Sequence, residues 1–201
     1  MYPSSLFHQT DGAALAALVA GRGLATIIGV SRGRPLAALT PVLLDGQRLR
    51  FHLARANALV PSLTAGDPAL AVVAGPDAYV SPDWYEVEDQ VPTWNYLTVE
   101  IEGPVRALDD AEATVLLDDL SARFEDRLAP KPPWTRHKMS PGRFEAVLRG
   151  IVAFEMTVER LEGVWKLSQN KSPDVIARVA GALADRPDEG SRRIARLMSE
   201  G

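Results

Sequence analysis

The 201 residues contain no cysteine, which excludes disulfides, thiolate metal sites and cysteine nucleophiles. Histidine is scarce. His8, His52 and His137 lie far apart and show no metal-ligand spacing, so no metal site is expected. No stretch approaches the ~20 consecutive apolar residues of a membrane span. The N-terminus has no basic segment running into an apolar one, so no secretory leader is read there. A cytoplasmic protein with no membrane contact is the expectation. The formal net charge is -4, so the molecule as a whole does not attract polyanions. Any contact with DNA needs a local basic patch. There is no glycine-rich phosphate loop or dinucleotide fingerprint, and Ser81 and Ser168 have no histidine close by in sequence. No catalytic residue is assigned.

What is present reads as hairpins with helices inserted and appended. Thr10 or Asp11 caps a helix to about Ala20, with Leu15, Leu18 and Val19 on one face. Residues 24–30 and 35–44 are strands joined at Ser31-Arg32-Gly33-Arg34. Asp45-Gly46 is the strongest hairpin signal in the chain. Residues 48–53 then alternate, with Leu49, Phe51 and Leu53 inward and His52 on the other face. A brief helix is expected over 57–65 with Asn57 as its cap, and a buried strand over 70–74. Residues 93–108 form one long strand. An amphipathic helix runs from Asp109-Asp110 to about Arg127, with a proline-rich link at 130–141, a short helix at 143–148 and a strand at 151–161. Two helices, about 173–184 and 187–199, close the chain. This order lacks the strand–helix alternation of a parallel doubly wound sheet. A closed or nearly closed antiparallel barrel removes the edges of six or seven such strands.

The most informative stretches are Gly75-Pro76-Asp77-Ala78-Tyr79-Val80-Ser81-Pro82-Asp83-Trp84-Tyr85 and Val91-Pro92-Thr93-Trp94-Asn95-Tyr96. Together they hold two of the four tryptophans and three of the four tyrosines. Trp and Tyr carry polar tips that need partners when buried. Mixed with Pro, Ser, Thr and Asn, they suit either a surface that grips a flat, partly polar molecule or a packed strand-and-turn corner. A second candidate is His52-Leu53-Ala54-Arg55-Ala56-Asn57, which runs from a strand end into a helix start. Arg55 offers a forked donor, and free amides at a helix N-terminus favour an anion. The plainer reading is that Asn57 caps a helix and Arg55 pairs with an acid. In Lys166-Leu167-Ser168-Gln169-Asn170, the amides can read a heteroaromatic edge and the lysine can face an anion. The alternative is a polar turn. The carboxylates Asp109, Asp110, Asp118 and Asp119 sit at helix-start or helix-surface positions and read as solvated.

The opening Met1-Tyr2 with Phe7, the two aromatic stretches and Lys166-Leu167-Ser168-Gln169-Asn170, in this order, resemble the PaiB family, described as FMN-binding negative transcriptional regulators. The resemblance covers nearly the whole chain. It implies an antiparallel split β-barrel like that of pyridoxamine phosphate oxidase, mainly β with appended helices. On that plan residues 1–170 are the FMN-binding barrel domain and 171–201 a helical appendage. The resemblance also implies a homodimer with two FMN sites at the subunit interface. His52, Arg55 and Asn57 stand where the phosphate is held. Trp94, Asn95, Lys166, Ser168 and Gln169 are the remaining expected cofactor contacts. In one departure from the family pattern, Ala38-Leu39-Thr40-Pro41 puts Leu39 where a histidine is expected; in another, Pro3 comes early and Ser4 follows it.

Three functions remain open at this point: an FMN-binding regulator, a flavin-dependent oxidoreductase, and a haem-binding protein with His8, His52 or His137 as ligand. From Lys166 onward there are seven basic and five acidic residues, a weak footprint for a DNA-reading face. The two last helices read better as a cap or dimer arm, because Val175, Ile176, Val179, Leu183, Ile194, Leu197 and Met198 recur at helical spacing.

Overall fold

A computed structural model describes residues 3–200, so the opening Met1-Tyr2 lies outside the described residues. The helices are α1 Gly12–Arg22, α2 Val60–Thr64, α3 Asp110–Glu125, α4 Arg143–Leu148, α5 Pro173–Ala184 and α6 Glu189–Glu200. The strands are β1 His8–Gln9, β2 Leu24–Ser31, β3 Arg34–Asp45, β4 Arg48–Ala54, β5 Pro68–Val80, β6 Thr93–Ala107, β7 Ile151–Thr157 and β8 Arg160–Lys166. The chain separates into two compact units. One takes in the chain up to Leu18, Ala74–Val99 and the chain from Glu162 onward. The other is Val19–Val73 with Glu100–Leu161.

The second unit is built on antiparallel pairing. β3 runs between β2 and β4, with Ile27 opposite Ala38 and Val42 opposite Phe51. β4 pairs with β7, Phe51 opposite Phe154, and β7 pairs with β6, Val105 opposite Met156. β2 also pairs with β5, and β5 neighbours β6. Six strands therefore follow one another round a closed ring, which removes sheet edges as the hairpin-rich order predicts. Strand alternation fills the ring: Ile27, Leu49, Phe51, Ile101, Phe154 and Met156 are fully buried. The Phe51 and Phe154 rings stack at 5.5 Å. Gly103 is required in β6, since a Cβ there would overlap the Thr157 carbonyl.

Outside the ring, α3 lies over Ala153 and Leu43 with Ala113, Leu116 and Leu120 inward. Its start is fixed by a capping box, in which the Asp109 carboxylate accepts from Glu112 N at 2.8 Å and Glu112 accepts from Asp109 N at 3.1 Å. Asp119 pairs with Arg50 at 2.9 Å and Asp118 with Arg136 at 3.0 Å, so these carboxylates have structural partners. The proline-rich link is tied rather than loose. Glu125 accepts from Lys131 and from Trp134 N, and Arg136 lies over the Phe144 ring.

In the first unit, β1 pairs with β8, His8 opposite Val164, and β8 neighbours β6. The two C-terminal helices bury Val175, Val179, Leu183, Ile194 and Met198 against Val80, Tyr85 and Leu97. The apolar stripe read from the sequence thus finds its packing partner. Two boundaries differ from the sequence reading. β5 continues through Gly75-Pro76 to Val80, and its buried parity shifts from Val73 and Gly75 to Ala78 and Val80. One extra residue is accommodated there, as at a bulge, the place where an interior Pro is tolerated. The expected strand 151–161 is broken at Val158-Glu159, and the chain returns as β8 up to Lys166.

Candidate functional site

The second unit carries His52, Arg55 and Asn57. His52 is half-buried on the outer face of β4, opposite Ala153. Its backbone carbonyl accepts from Thr40 Oγ1 at 2.5 Å, while its Nδ1 is buried without a partner. Burial holds its pKa below the ordinary 6.5. Arg55 follows the end of β4. Its Nε donates to the Arg149 carbonyl and its Nη2 to the Ile151 carbonyl, both at 2.7 Å. The guanidinium therefore staples the α4–β7 turn, rather than pairing with an acid, and leaves Nη1 unused. The Asn57 carboxamide accepts from Leu59 N at 2.9 Å. It closes a local turn, and the helix starts only at Val60, ahead of Pro61. A helix-end anion site at Asn57 is thereby replaced by an exposed turn. Among the described residues the amides of Ala56 and Ala58 in that turn take no internal hydrogen bond. Beside Arg55 lies a cleft of about 540 Å³, floored by Leu108, Ala113, Leu148, Ile151 and Ala153, with Asp110 and Thr64 as polar members. A cleft of this size and lining is of the kind that takes small molecules.

The first unit carries the other expected contacts, and these behave differently from one another. Asn95 is 0% exposed and Ser168 4%. Asn95 Nδ2 donates to Ser168 Oγ at 3.0 Å and lies 3.4 Å from Met198 Sδ. Burial raises the pKa of the Tyr85 hydroxyl, against a lowering influence from nearby Ser168. Ser168 holds a left-handed backbone, φ 63°. Gln169 is spent on its own loop: Oε1 accepts from Leu167 N at 2.7 Å and Nε2 donates to the Trp165 carbonyl at 2.6 Å. Lys166 Nζ donates to Thr93 Oγ1 at 2.5 Å, and burial lowers its pKa. The two motifs therefore interlock, Thr93 with Lys166 and Asn95 with Ser168. Trp94 points the other way. It is 53% exposed and meets Tyr79 edge to face, with ring centroids 6.0 Å apart at 73°. The aromatic stretches thus divide, with Tyr85 in the core and Tyr79 and Trp94 on the surface.

Sequence reasoning missed two features. One is the Tyr79–Trp94 pairing, which the alternation of residues 93–97 could have signalled once β5 was extended. The other is the outer face of β2 and β3. Register places Leu24 opposite Pro41, Thr26 opposite Leu39, Ile28 opposite Ala37 and Val30 opposite Pro35. Leu39 is 68% exposed and Val30 58%. The alternation of both strands contained this face. Among the described residues no group of three His, Cys, Asp or Glu side chains is placed to hold a metal.

A family model described as "Putative FMN-binding domain" matches residues 1–160. "Protease synthase and sporulation protein PAI 2" of Bacillus subtilis (strain 168) is 28% identical over 204 residues, spanning 100% of this chain and 97% of that protein. Among solved structures, a FAD and heme binding protein from Mycobacterium smegmatis has a TM-score of 0.61 at 20% identity, over 84% of this chain and 78% of that one. The flavocytochrome Anf3 from Azotobacter vinelandii has a TM-score of 0.58 at 15% identity, over 82% and 72%. These two structures share the fold.

Proposed function

We propose, from the premise that this chain belongs to the family of FMN-binding domains matched over residues 1–160, that it is a cytoplasmic regulatory flavoprotein acting as a homodimer. FMN is its cofactor. The observation that carries the reading is the open turn at Arg55–Ala58, where a guanidinium N–H and two amides stand ready for an anion on a chain of this family. In this reading Arg55 and the turn amides hold the phosphate. When bound, FMN supplies one- and two-electron chemistry, and the protein binds and orients it. A regulatory role is favoured by the end-to-end similarity to a Bacillus protein named for protease synthesis and sporulation.

Dimerisation is supported by the outer face of β2 and β3. Apart from Thr26 it is wholly apolar, and Leu39 stands at its centre. Contiguous exposed apolar surface of this kind marks a contact site, and a second copy of the same sheet face matches it in chemistry. Sedimentation at micromolar concentration tests this: the account expects a dimer that Leu39→Glu converts to monomer, and a monomeric wild type overturns it. For function, the FMN-loaded protein is mixed with a reduced nicotinamide. Slow or absent turnover is expected. Sustained catalytic oxidation of the nicotinamide replaces the regulatory reading with a flavin-dependent oxidoreductase. A Soret band on adding haem, lost with His52→Ala, replaces it with a haem-binding one.

A further inference from the structure

Two of the residues that carry the family resemblance cannot touch a ligand directly. Asn95 and Ser168 are buried against each other, yet each belongs to a motif that otherwise reads as ligand-facing. Strand geometry links them to the surface. Successive side chains of β6 point to opposite faces, so whatever pins Asn95 inward sets Trp94 outward. Asn95 is pinned twice over, by Ser168 and by the Met198 sulfur. Ser168 makes its bond from a left-handed backbone, which costs free energy in a non-glycine residue. A buried amide and hydroxyl in such a network fix one arrangement of the groups around them.

We propose that Asn95 and Ser168 are positioning residues for the flavin site, which orient Trp94 against Tyr79 so that the aromatic pair meets the flat ring of FMN. Met198 makes helix α6 part of the same brace. The proposal rests on the reading that this protein binds FMN.

The test measures FMN and riboflavin affinities, by quenching of flavin fluorescence, for the wild type, Ser168→Ala, Trp94→Ala and the double variant. Met198→Leu, which keeps volume and removes the sulfur acceptor, is a second route to the same network. Loss of one buried hydrogen bond predicts that Ser168→Ala weakens both ligands by the same factor, about 3- to 10-fold. In the Trp94→Ala background the Ser168→Ala change should have no further effect, because its route to the ring is already gone. Met198→Leu should weaken both ligands in the same direction. Additive losses in the double variant, or a loss confined to FMN, overturn the proposal. So does unchanged affinity in Ser168→Ala with only a lowered melting temperature. If the wild type binds neither flavin, the FMN reading itself fails. If the wild type binds and Ser168→Ala behaves like it, only the positioning role fails.

Discussion

Replacing Arg55 by alanine separates the observed duty of that side chain from the proposed one. Its Nε and Nη2 each donate at 2.7 Å to carbonyls of the α4–β7 turn, and Nη1 is left for a ligand. A hydrogen bond from a charged donor contributes about 1.5–3 kcal/mol, and surface exposure reduces the value of the two internal ones. Arg55→Ala should therefore lower stability by about 1–3 kcal/mol. Loss of the phosphate contact should weaken FMN by roughly 1.5–3 kcal/mol, or about 10- to 150-fold in Kd. Riboflavin has no phosphate, so its affinity should change by less than about 3-fold. Isothermal titration with both ligands below the variant's melting temperature reads the two effects apart. If FMN and riboflavin lose affinity equally, the guanidinium does not hold the phosphate, and its role is confined to the α4–β7 turn.

Other perturbations address the remaining parts of the account. His52 is held below its ordinary pKa of 6.5 by burial, so the unfolded chain binds a proton that the folded one refuses. Stability from this group is present above about pH 6.5 and falls as pH drops toward the folded value. Denaturant melts between pH 7.5 and 5 should show that slope reduced in His52→Gln. Gly103→Ala should unfold the protein or lower its melting temperature severely, because the new Cβ strikes a backbone carbonyl, whereas Gly181→Ala in α5 meets open space and should stabilise by up to ~1 kcal/mol. Truncation after Lys171 removes Val179, Leu183 and Ile194 from the core of the first unit and should cause aggregation. In the intact protein, fluorescence anisotropy should show at most weak DNA binding that vanishes near physiological salt. Tight, selective binding lost on changing Arg192, Arg193 and Arg196 to alanine would contradict that expectation.

The local signals in this chain were legible because they are short-range. Asp45-Gly46 specifies its hairpin, Asp109-Asp110 the start of α3, and Pro173 the start of α5. The long strand to Val80 was not, because Gly75-Pro76 is a turn signal that the tertiary setting overrides with a shift of strand parity. The closed ring was readable as a class, though not as an order of strands. The site residues divide along the same line. Arg55 bonds the Arg149 and Ile151 carbonyls, and Trp94 lies exposed. Asn95 and Ser168 look equally ligand-like in sequence, but they satisfy each other across 73 residues of chain. Which of two polar groups faces a ligand, and which faces another polar group, is decided by long-range pairing that no local pattern encodes.

The central claim is that this chain holds FMN and recognises its phosphate. The most direct measurement is a titration of the purified protein, stripped of any bound flavin, with FMN and in parallel with riboflavin, followed by visible absorption and flavin fluorescence. The account predicts saturation at one FMN per chain with a shifted flavin spectrum, and markedly weaker binding of riboflavin. An unchanged flavin spectrum with no saturation at either ligand would contradict it.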